Sequence, residues 1–361
     1  MTDARRDVDP AGAARRSARE REAEEGDGGT PRRAGAASGE RLAVIFIAGR
    51  GRSGSTLLGR LLSCDARVAY LGESRFLWRR GFVQDTLCSC GERFQACPVW
   101  TAAVEEAFGG FGAVDWEEVE LLRRRVERIR HLPRLVRGGG DGAFETDVAE
   151  YRQFMGRLFR GVSRVTGSSI LVDSSHAPSH GAILAGIPGV ELHTLHLVRD
   201  SRAVTYSWQK KVVRPDIHWK KAFMTRYGTV QNALAWIFEN QIVRMLRPVS
   251  ASFLRIRYED LARRPERAIS RIWREAGCGP ADAGLLESLR GGVVDLPRGH
   301  SMGGNPMRFA GGPTEIREDA AWRNDLSWWK TVVVTALTWP LLLPYGYPLL
   351  ANSGVRKAER R

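Results

Sequence analysis

Apolar positions fall along most of the chain as short uncharged runs separated by stretches of helical spacing. Leu42-Ala43-Val44-Ile45-Phe46-Ile47 is rich in β-branched residues and free of charge, the pattern of a strand buried on both faces of a parallel sheet. A glycine-rich turn follows, and Thr56 to Leu62 then has the spacing of an amphipathic helix. Val68-Ala69-Tyr70-Leu71 reads as a second strand, Ser169-Ile170-Leu171-Val172 as a third and Leu192 to Val198 as a fourth. Phe253 to Arg257 alternates, as a strand with one buried face does. Between the second and third strands the pattern is helical, from Asp115 to Arg137 and from Phe144 to about Thr166, with Gly138 to Gly142 as the break. This predicts a helical insert over about residues 101–167. Further helices are expected from Ala203 to about Lys211 and from Val230 to about Leu246, the latter with Trp236 and Phe238 at intervals that suit the core.

The turn after the first strand, Gly49-Arg50-Gly51-Arg52-Ser53-Gly54-Ser55-Thr56, carries the first candidate chemistry. Strand, glycine-rich turn and helix together make a phosphate cradle, because backbone N–H groups and the positive helix N-terminus point at one anion. The fold class that follows is α/β: a P-loop-containing nucleotide-binding fold with a central parallel β-sheet flanked by helices, over residues 41–325. The loop departs from G-x-x-x-x-G-K-[ST] in having Ser55 where that pattern has lysine. That lysine serves the β- and γ-phosphates of a nucleoside triphosphate, so its absence argues against ATP or GTP hydrolysis. Arg52 supplies a cation nearby.

Ligands of open parallel sheets bind at the carboxyl ends of the strands, and three more strands deliver polar residues there. The second leads into Gly72-Glu73-Ser74-Arg75, where Glu73 is placed to take a proton from an acceptor hydroxyl or to pair with Arg75. The third ends in Asp173-Ser174-Ser175-His176. The fourth runs into Arg199-Asp200, with Ser207 two turns into the next helix. An arginine fork and a serine hydroxyl away from the loop suggest a second phosphate, and so a bisphosphorylated nucleotide.

These motifs resemble the sulfotransferases that use 3′-phosphoadenosine 5′-phosphosulfate, especially the carbohydrate and tyrosylprotein types and their bacterial relatives. The resemblance rests on Arg52-Ser53-Gly54-Ser55-Thr56 as the 5′-phosphosulfate loop and on Arg199 and Ser207, eight residues apart, as the 3′-phosphate motif. It rests also on Glu73, twenty-one residues after Arg52, and on Arg257-Tyr258-Glu259-Asp260-Leu261 with Pro265. It implies in-line transfer of a sulfuryl group to a hydroxyl or amine, with Glu73 as general base and Gly51 to Thr56 holding the donor without a metal. His176 stands where the family usually has lysine, so as an assistant to the leaving group it must be protonated or donate a hydrogen bond. By the same likeness the late loop Gly299 to Arg308 closes over the nucleotide, with Ser301, Asn305 and above all Arg308 as candidates. The insert carries no readable code, and small-molecule, glycan, lipid and glycopeptide acceptors stay open. Two other readings stay open as well: a P-loop kinase or NTPase, for which Asp173 is the well-placed carboxylate, and a non-catalytic nucleotide-binding scaffold.

Composition adds three things. Residues 1–40 hold almost no large apolar side chain and read as a disordered tail without the apolar region of a signal peptide, which suggests a cytoplasmic protein. The tail's charges nearly cancel, so the net charge of +14 belongs to the remaining body. A basic body suits polyanionic ligands, and with no basic-aromatic repeat, nucleic acid is not expected. Cys88, Cys90 and Cys97 are concentrated in one loop, but C-x-C with one distant cysteine matches zinc spacings poorly. Buried thiols in a structural loop are expected, with a metal or disulfide staple as the alternatives. The apolar run Val332 to Leu350 is interrupted by Pro340, Pro344 and Pro348, which break helices. It reads as a packed helix and tail over 326–361, with contact to a membrane surface through its aromatic flank left open.

Overall fold

The computed structural model describes residues 41–139 and 142–350; the tail read over residues 1–40 lies outside the described residues, as do Gly140, Asp141 and 351–361. The central sheet has five strands, β1 (Leu42–Ala48), β2 (Val68–Gly72), β3 (Ile170–His176), β4 (Val190–Val198) and β5 (Ser252–Arg257), all parallel and ordered β2-β3-β1-β4-β5. The uncharged run of β1 takes the middle, with Ile45 opposite Val172 on one side and His193 on the other. From Val44 to Ala48 it is wholly buried. Two cores form on its faces. Val44 and Phe46 pack with the helices between β2 and β3, while Ile45 and Ile47 pack with the first helix and Pro265–Glu275. The chain leaves β1 toward β2 on one side and β4 toward β5 on the other. The carboxyl ends of β1 and β4 therefore flank a topological switch point, where such sheets open a crevice.

Between β2 and β3 lie helices at Pro98–Phe108, Trp116–Val126, Leu132–Arg137 and Ala143–Thr166. The single helix expected from Asp115 to Arg137 is thus two. Asp115 caps the first through the amides of Glu117 and Glu118, and the chain breaks at Glu127, whose carboxylate turns inward. The helix expected to reach Leu246 ends at Ile242 and continues as a 3₁₀ segment. On it Trp236 is buried but Phe238, two residues round the helix, faces solvent. The last helix, Trp328–Leu342, carries Pro340 in its final turn instead of stopping before it. Leu342, Tyr345 and Tyr347 pack with Trp236 and Val198, and the Tyr347 hydroxyl donates to Glu259 at 2.8 Å. Among the described residues no helix is long and apolar enough to cross a membrane.

Glu127 ends in a wholly buried cluster. His180 meets the Glu127 carboxylate through Nδ1, and its Nε2 faces Asp173 at 3.4 Å and the Ser74 hydroxyl at 2.9 Å. Arg75 and Arg123 reach Glu127 at 2.9 and 2.8 Å. Burial alone would lower the imidazole, but the charges of Glu127 and Asp173 raise it to about 9. Burial would raise Glu127, and His180, Arg75 and Arg123 bring it down to about 2. A raised histidine stabilises the fold fully below its unfolded value near 6.5 and loses that contribution as pH rises through 9. A depressed carboxylate loses its contribution as pH falls from about 4.5 toward 2. Thermal melts should therefore show maximal stability between these limbs and a decline from pH 6.5 to 9. His180→Gln, which leaves buried charge unpaired, should cost about 3–5 kcal/mol and remove the alkaline limb. A wild-type Tm unchanged across that range would contradict the buried imidazolium.

Candidate active site

The turn after β1 owes its shape to backbone conformations that place successive amides on one side. Gly49 and Gly54 have φ of 124° and 95°, and Arg52, without glycine's freedom, is held at 72°. Non-glycine residues in this region carry strain of about 1–3 kcal/mol and concentrate at functional sites. Gly54 is required for a second reason: a Cβ there would stand 2.5 Å from the Tyr258 ring. The helix Ser55–Leu62 starts at Gly54, and no side chain caps its first amides. Those N–H groups are therefore available to an anion. The cradle geometry is built from backbone.

The loop opens into a cleft of about 370 Å³ at the switch point, bordered by Gly51, Arg52, Gly54, Ser55 and Thr56. Glu73, His176, Arg199 and Ser207 border the same cleft, so four strand ends converge as the sequence suggested. Ser53 does not reach it. Its buried hydroxyl donates to the Arg50 carbonyl at 2.7 Å and braces the turn from behind. Arg50 is also turned away, bonded to Asn232 and Glu239.

Glu73 precedes a short 3₁₀ turn just after β2, where its amide donates to the Met302 carbonyl at 2.7 Å. Its carboxylate pairs with Arg80 at 3.1 Å, not with Arg75, which is engaged with Glu127. Gly72 makes this approach possible, since a Cβ there would lie 2.1 Å from the Met302 oxygen. His176 ends β3 at φ 64°, and its Nε2 lies 3.1 Å from the Ser55 hydroxyl. Burial pushes the imidazole below its ordinary value, against the opposing charges of Glu73 and Asp173. Of the two roles open to His176, a protonated group or a hydrogen-bond donor, burial disfavours the first.

Arg199 is buried and Arg52 partly so, and both are incompletely satisfied. The Nε atoms of Arg52 and Arg199 are both buried without a hydrogen-bond partner. Burial lowers the Arg52 pKa, with Glu73 opposing and Arg199 adding to the shift. Arg199 lies over the Tyr258 ring at 4.3 Å, donates to the Arg52 carbonyl at 3.3 Å and pairs with Asp319 at 3.2 Å. Ser207, half-buried, faces the cleft on the helix Ser201–Gln209, which Asp200 caps through the Arg202 amide. Cations with buried, unpartnered donors beside a ring of N–H groups have the chemistry to bind a polyanion.

The late loop is arranged differently from expectation. Arg308 is buried, with its guanidinium donating to the carbonyls of Ser301 at 2.6 Å and Leu87 at 3.0 Å. Ser301 is turned toward Ser89. Neither borders the cleft, because both side chains satisfy backbone and hydroxyl groups of the neighbouring loop. Asn305 does reach it, together with Gly304 and Met307, and the Asn305 amide donates to Thr56 at 3.2 Å. Sequence reasoning missed Lys210, Trp208, Arg317 and Asp319, all on the cleft. Lys210 lay within reach, three residues past Ser207 on the same helical face. Asp173, the carboxylate a kinase reading needs, is wholly buried and engaged by Ser74, the Ser175 amide and His180. It has no oxygen to offer a metal in the cleft.

No curated protein matches the sequence. Among solved structures, a sulfotransferase domain from the curacin biosynthetic pathway superposes with a TM-score of 0.49 at 18% identity, covering 86% of this chain and 99% of that one. The sequence matches the sulfotransferase family over residues 44–281, more than half of the chain and the span that contains the phosphate loop, Glu73, His176, Arg199 and Ser207. The chain belongs to the sulfotransferase family.

Proposed function

We propose that the protein transfers a sulfuryl group from 3′-phosphoadenosine 5′-phosphosulfate to a hydroxyl or amine of a small-molecule, glycan, lipid or glycopeptide acceptor. The observation that carries this reading is the single cleft in which an uncapped phosphate loop, two arginines with unpartnered buried donors and a strand-end carboxylate meet. The loop amides and Arg52 would hold the 5′-phosphosulfate, and Arg199 with Ser207 the 3′-phosphate. Glu73 would accept the proton of the acceptor as its oxygen or nitrogen bonds to sulfur. The bond from sulfur to the bridging oxygen breaks in the same displacement, and the leaving phosphate departs with that electron pair. Charge growing on the bridging oxygen would be met by Arg52 and by a hydrogen bond from the neutral His176 ring, the kind of fixed donor that stabilises developing charge most.

Calorimetry should find metal-independent binding of 3′,5′-adenosine bisphosphate in preference to Mg·ATP. Arg199→Ala should weaken it about 10- to 100-fold, the value of a charge-assisted contact. Glu73→Gln should keep that affinity and lose about 10²–10⁴ in turnover. A preference for Mg·ATP would instead support a kinase, and full turnover in Glu73→Gln would remove that residue from the chemistry.

The depressed pKa of His176 makes a separate prediction. Because kcat/KM reports ionisations of the free enzyme, its profile should carry no His176 limb between pH 7 and 9. His176→Asn should lower the whole profile without changing its shape there. A wild-type fall across that interval that disappears in the variant would restore the imidazolium role.

We also propose a peripheral membrane contact through the helix Trp328–Leu342, which leaves Trp328, Trp329, Val332 and Trp339 facing solvent. Interfacial aromatics of this kind anchor at the headgroup level. Co-sedimentation with anionic vesicles should fall several-fold in the double variant Trp328→Ser, Trp339→Ser; wild-type protein that stays in the supernatant would refute it.

A further inference from the structure

Outside the cleft, the loop that begins at Cys88 brings three thiols to one point, and folding adds a fourth donor from more than 200 residues away. The sulfurs of Cys88, Cys90 and Cys97 and a ring nitrogen of His300 all lie within 4.8 Å of one another. Cys90 Sγ is 3.7 Å from Cys97 Sγ, and Cys97 Sγ is 3.1 Å from His300 Nδ1. Tetrahedral zinc with bonds of about 2.3 Å to sulfur and 2.0–2.1 Å to nitrogen separates its ligands by about 3.8 Å and 3.5 Å. The observed spacings already approach that figure. Cys88 and Cys97 are wholly buried, yet no disulfide joins them.

The surroundings suit a metal better than loose thiols. Backbone amides of Cys90, Glu92 and Trp100 face the sulfurs of Cys88, Cys90 and Cys97, the outer contacts that support thiolate ligands. Gly91, at φ 100°, turns the chain so that its amide donates back to the Cys88 carbonyl. Ser89, between two of the cysteines, donates to the Gly299 carbonyl and accepts from the Ser301 amide on either side of His300. Arg308 joins the carbonyls of Leu87 and Ser301, again flanking Cys88 and His300. Three thiolates on a divalent ion leave one net negative charge, and the buried Arg308 guanidinium stands close enough to feel the Cys88 charge.

We propose that Cys88, Cys90, Cys97 and His300 bind one structural zinc ion. Its ligand set of three sulfurs and one nitrogen is closed and selects zinc among the common cellular metals. On binding, each thiol gives up its proton to solvent and the neutral imidazole ligates through Nδ1. The ion ties the loop after Cys88 to the late loop, two residues before Met302. Met302 is the residue that pairs with Leu71 and Glu73, so the staple steadies the strand end that carries Glu73.

The test is elemental analysis of the full chain purified without chelator or metal-affinity tag, then of the same protein stripped and reloaded with Zn²⁺ or Co²⁺ under reducing conditions. One zinc per chain is expected. The cobalt form should show the strong visible bands of tetrahedral coordination and thiolate-to-metal charge transfer. A thiol reagent should spare Cys88, Cys90 and Cys97 in the zinc form and modify them after chelation. Chelation should also lower Tm, and Zn²⁺ should restore it. Cys64→Ser should keep full stoichiometry, whereas Cys97→Ser should fall below about one tenth. Should Cys97→Ser fail to fold, the wild-type stoichiometry and cobalt spectrum decide. Reloaded wild-type protein with less than about a tenth of an equivalent, an octahedral cobalt spectrum, or a Cys90–Cys97 disulfide found by mass spectrometry in the protein as purified would each overturn the proposal.

Discussion

The polar geometry of the cleft is held from behind by one buried charge cluster. Glu127, His180 and Asp173 are each wholly shielded from water. Charges in that setting are tolerated only when each finds its partner, and removing one leaves the others at a cost of several kcal/mol. The cluster therefore behaves as a positional constraint more than as a source of net stability. Asp173 takes the hydroxyl of Ser74, the residue after Glu73, and the amide of Ser175, the residue before His176. Two groups that face the ligand are thus keyed to the same carboxylate.

What was legible in the sequence was whatever depends on backbone pattern and chain order. Uncharged runs mark central parallel strands because both faces are covered, and the carboxyl ends of such strands meet at a switch point. Four of them therefore delivered Arg52, Glu73, His176 and Arg199 to one place. What was not legible depends on which way a side chain turns once local order is set. Arg308 follows a glycine-rich loop that does border the cleft, yet its guanidinium finds buried carbonyls on the opposite side. Nothing in a loop's composition distinguishes a cation offered to a ligand from one that braces a neighbouring loop. Phe238 failed for a related reason. Its spacing from Trp236 is two residues, or about 200° round a helix, so both cannot enter one core.

The thiol cluster shows the same limit from the other direction. Cys88, Cys90 and Cys97 look like an incomplete set because the expected pairing rule is local in sequence, whereas coordination is local in space. His300 belongs to the set only after the late loop has crossed the edge of β2 at Met302. The residues that had seemed best suited to the nucleotide in that loop, Ser301 and Arg308, are instead among the contacts that hold the two loops together. One arrangement accounts for both departures from expectation.

The cations of the cleft are similarly constrained by what the protein itself supplies. Arg199 is only half neutralised: Asp319 takes one side of its fork, while its buried Nε is without a partner. Lys210 stands 3.9 Å from the same half-exposed carboxylate. Burial works to raise Asp319, but Arg199 and Lys210 hold it below the usual carboxylate value, so it remains an anion among these cations. A carboxylate there lowers the cost of holding two positive groups close to Arg52 when no ligand neutralises them. It also sets a standard for selectivity. An anion that enters must satisfy Arg199 better than Asp319 does, which a phosphate with three acceptor oxygens can do and a second carboxylate cannot. The unpartnered donors and the half-exposed counter-charge are thus two sides of one arrangement, which on the proposed function is fully satisfied by a polyanion in the cleft.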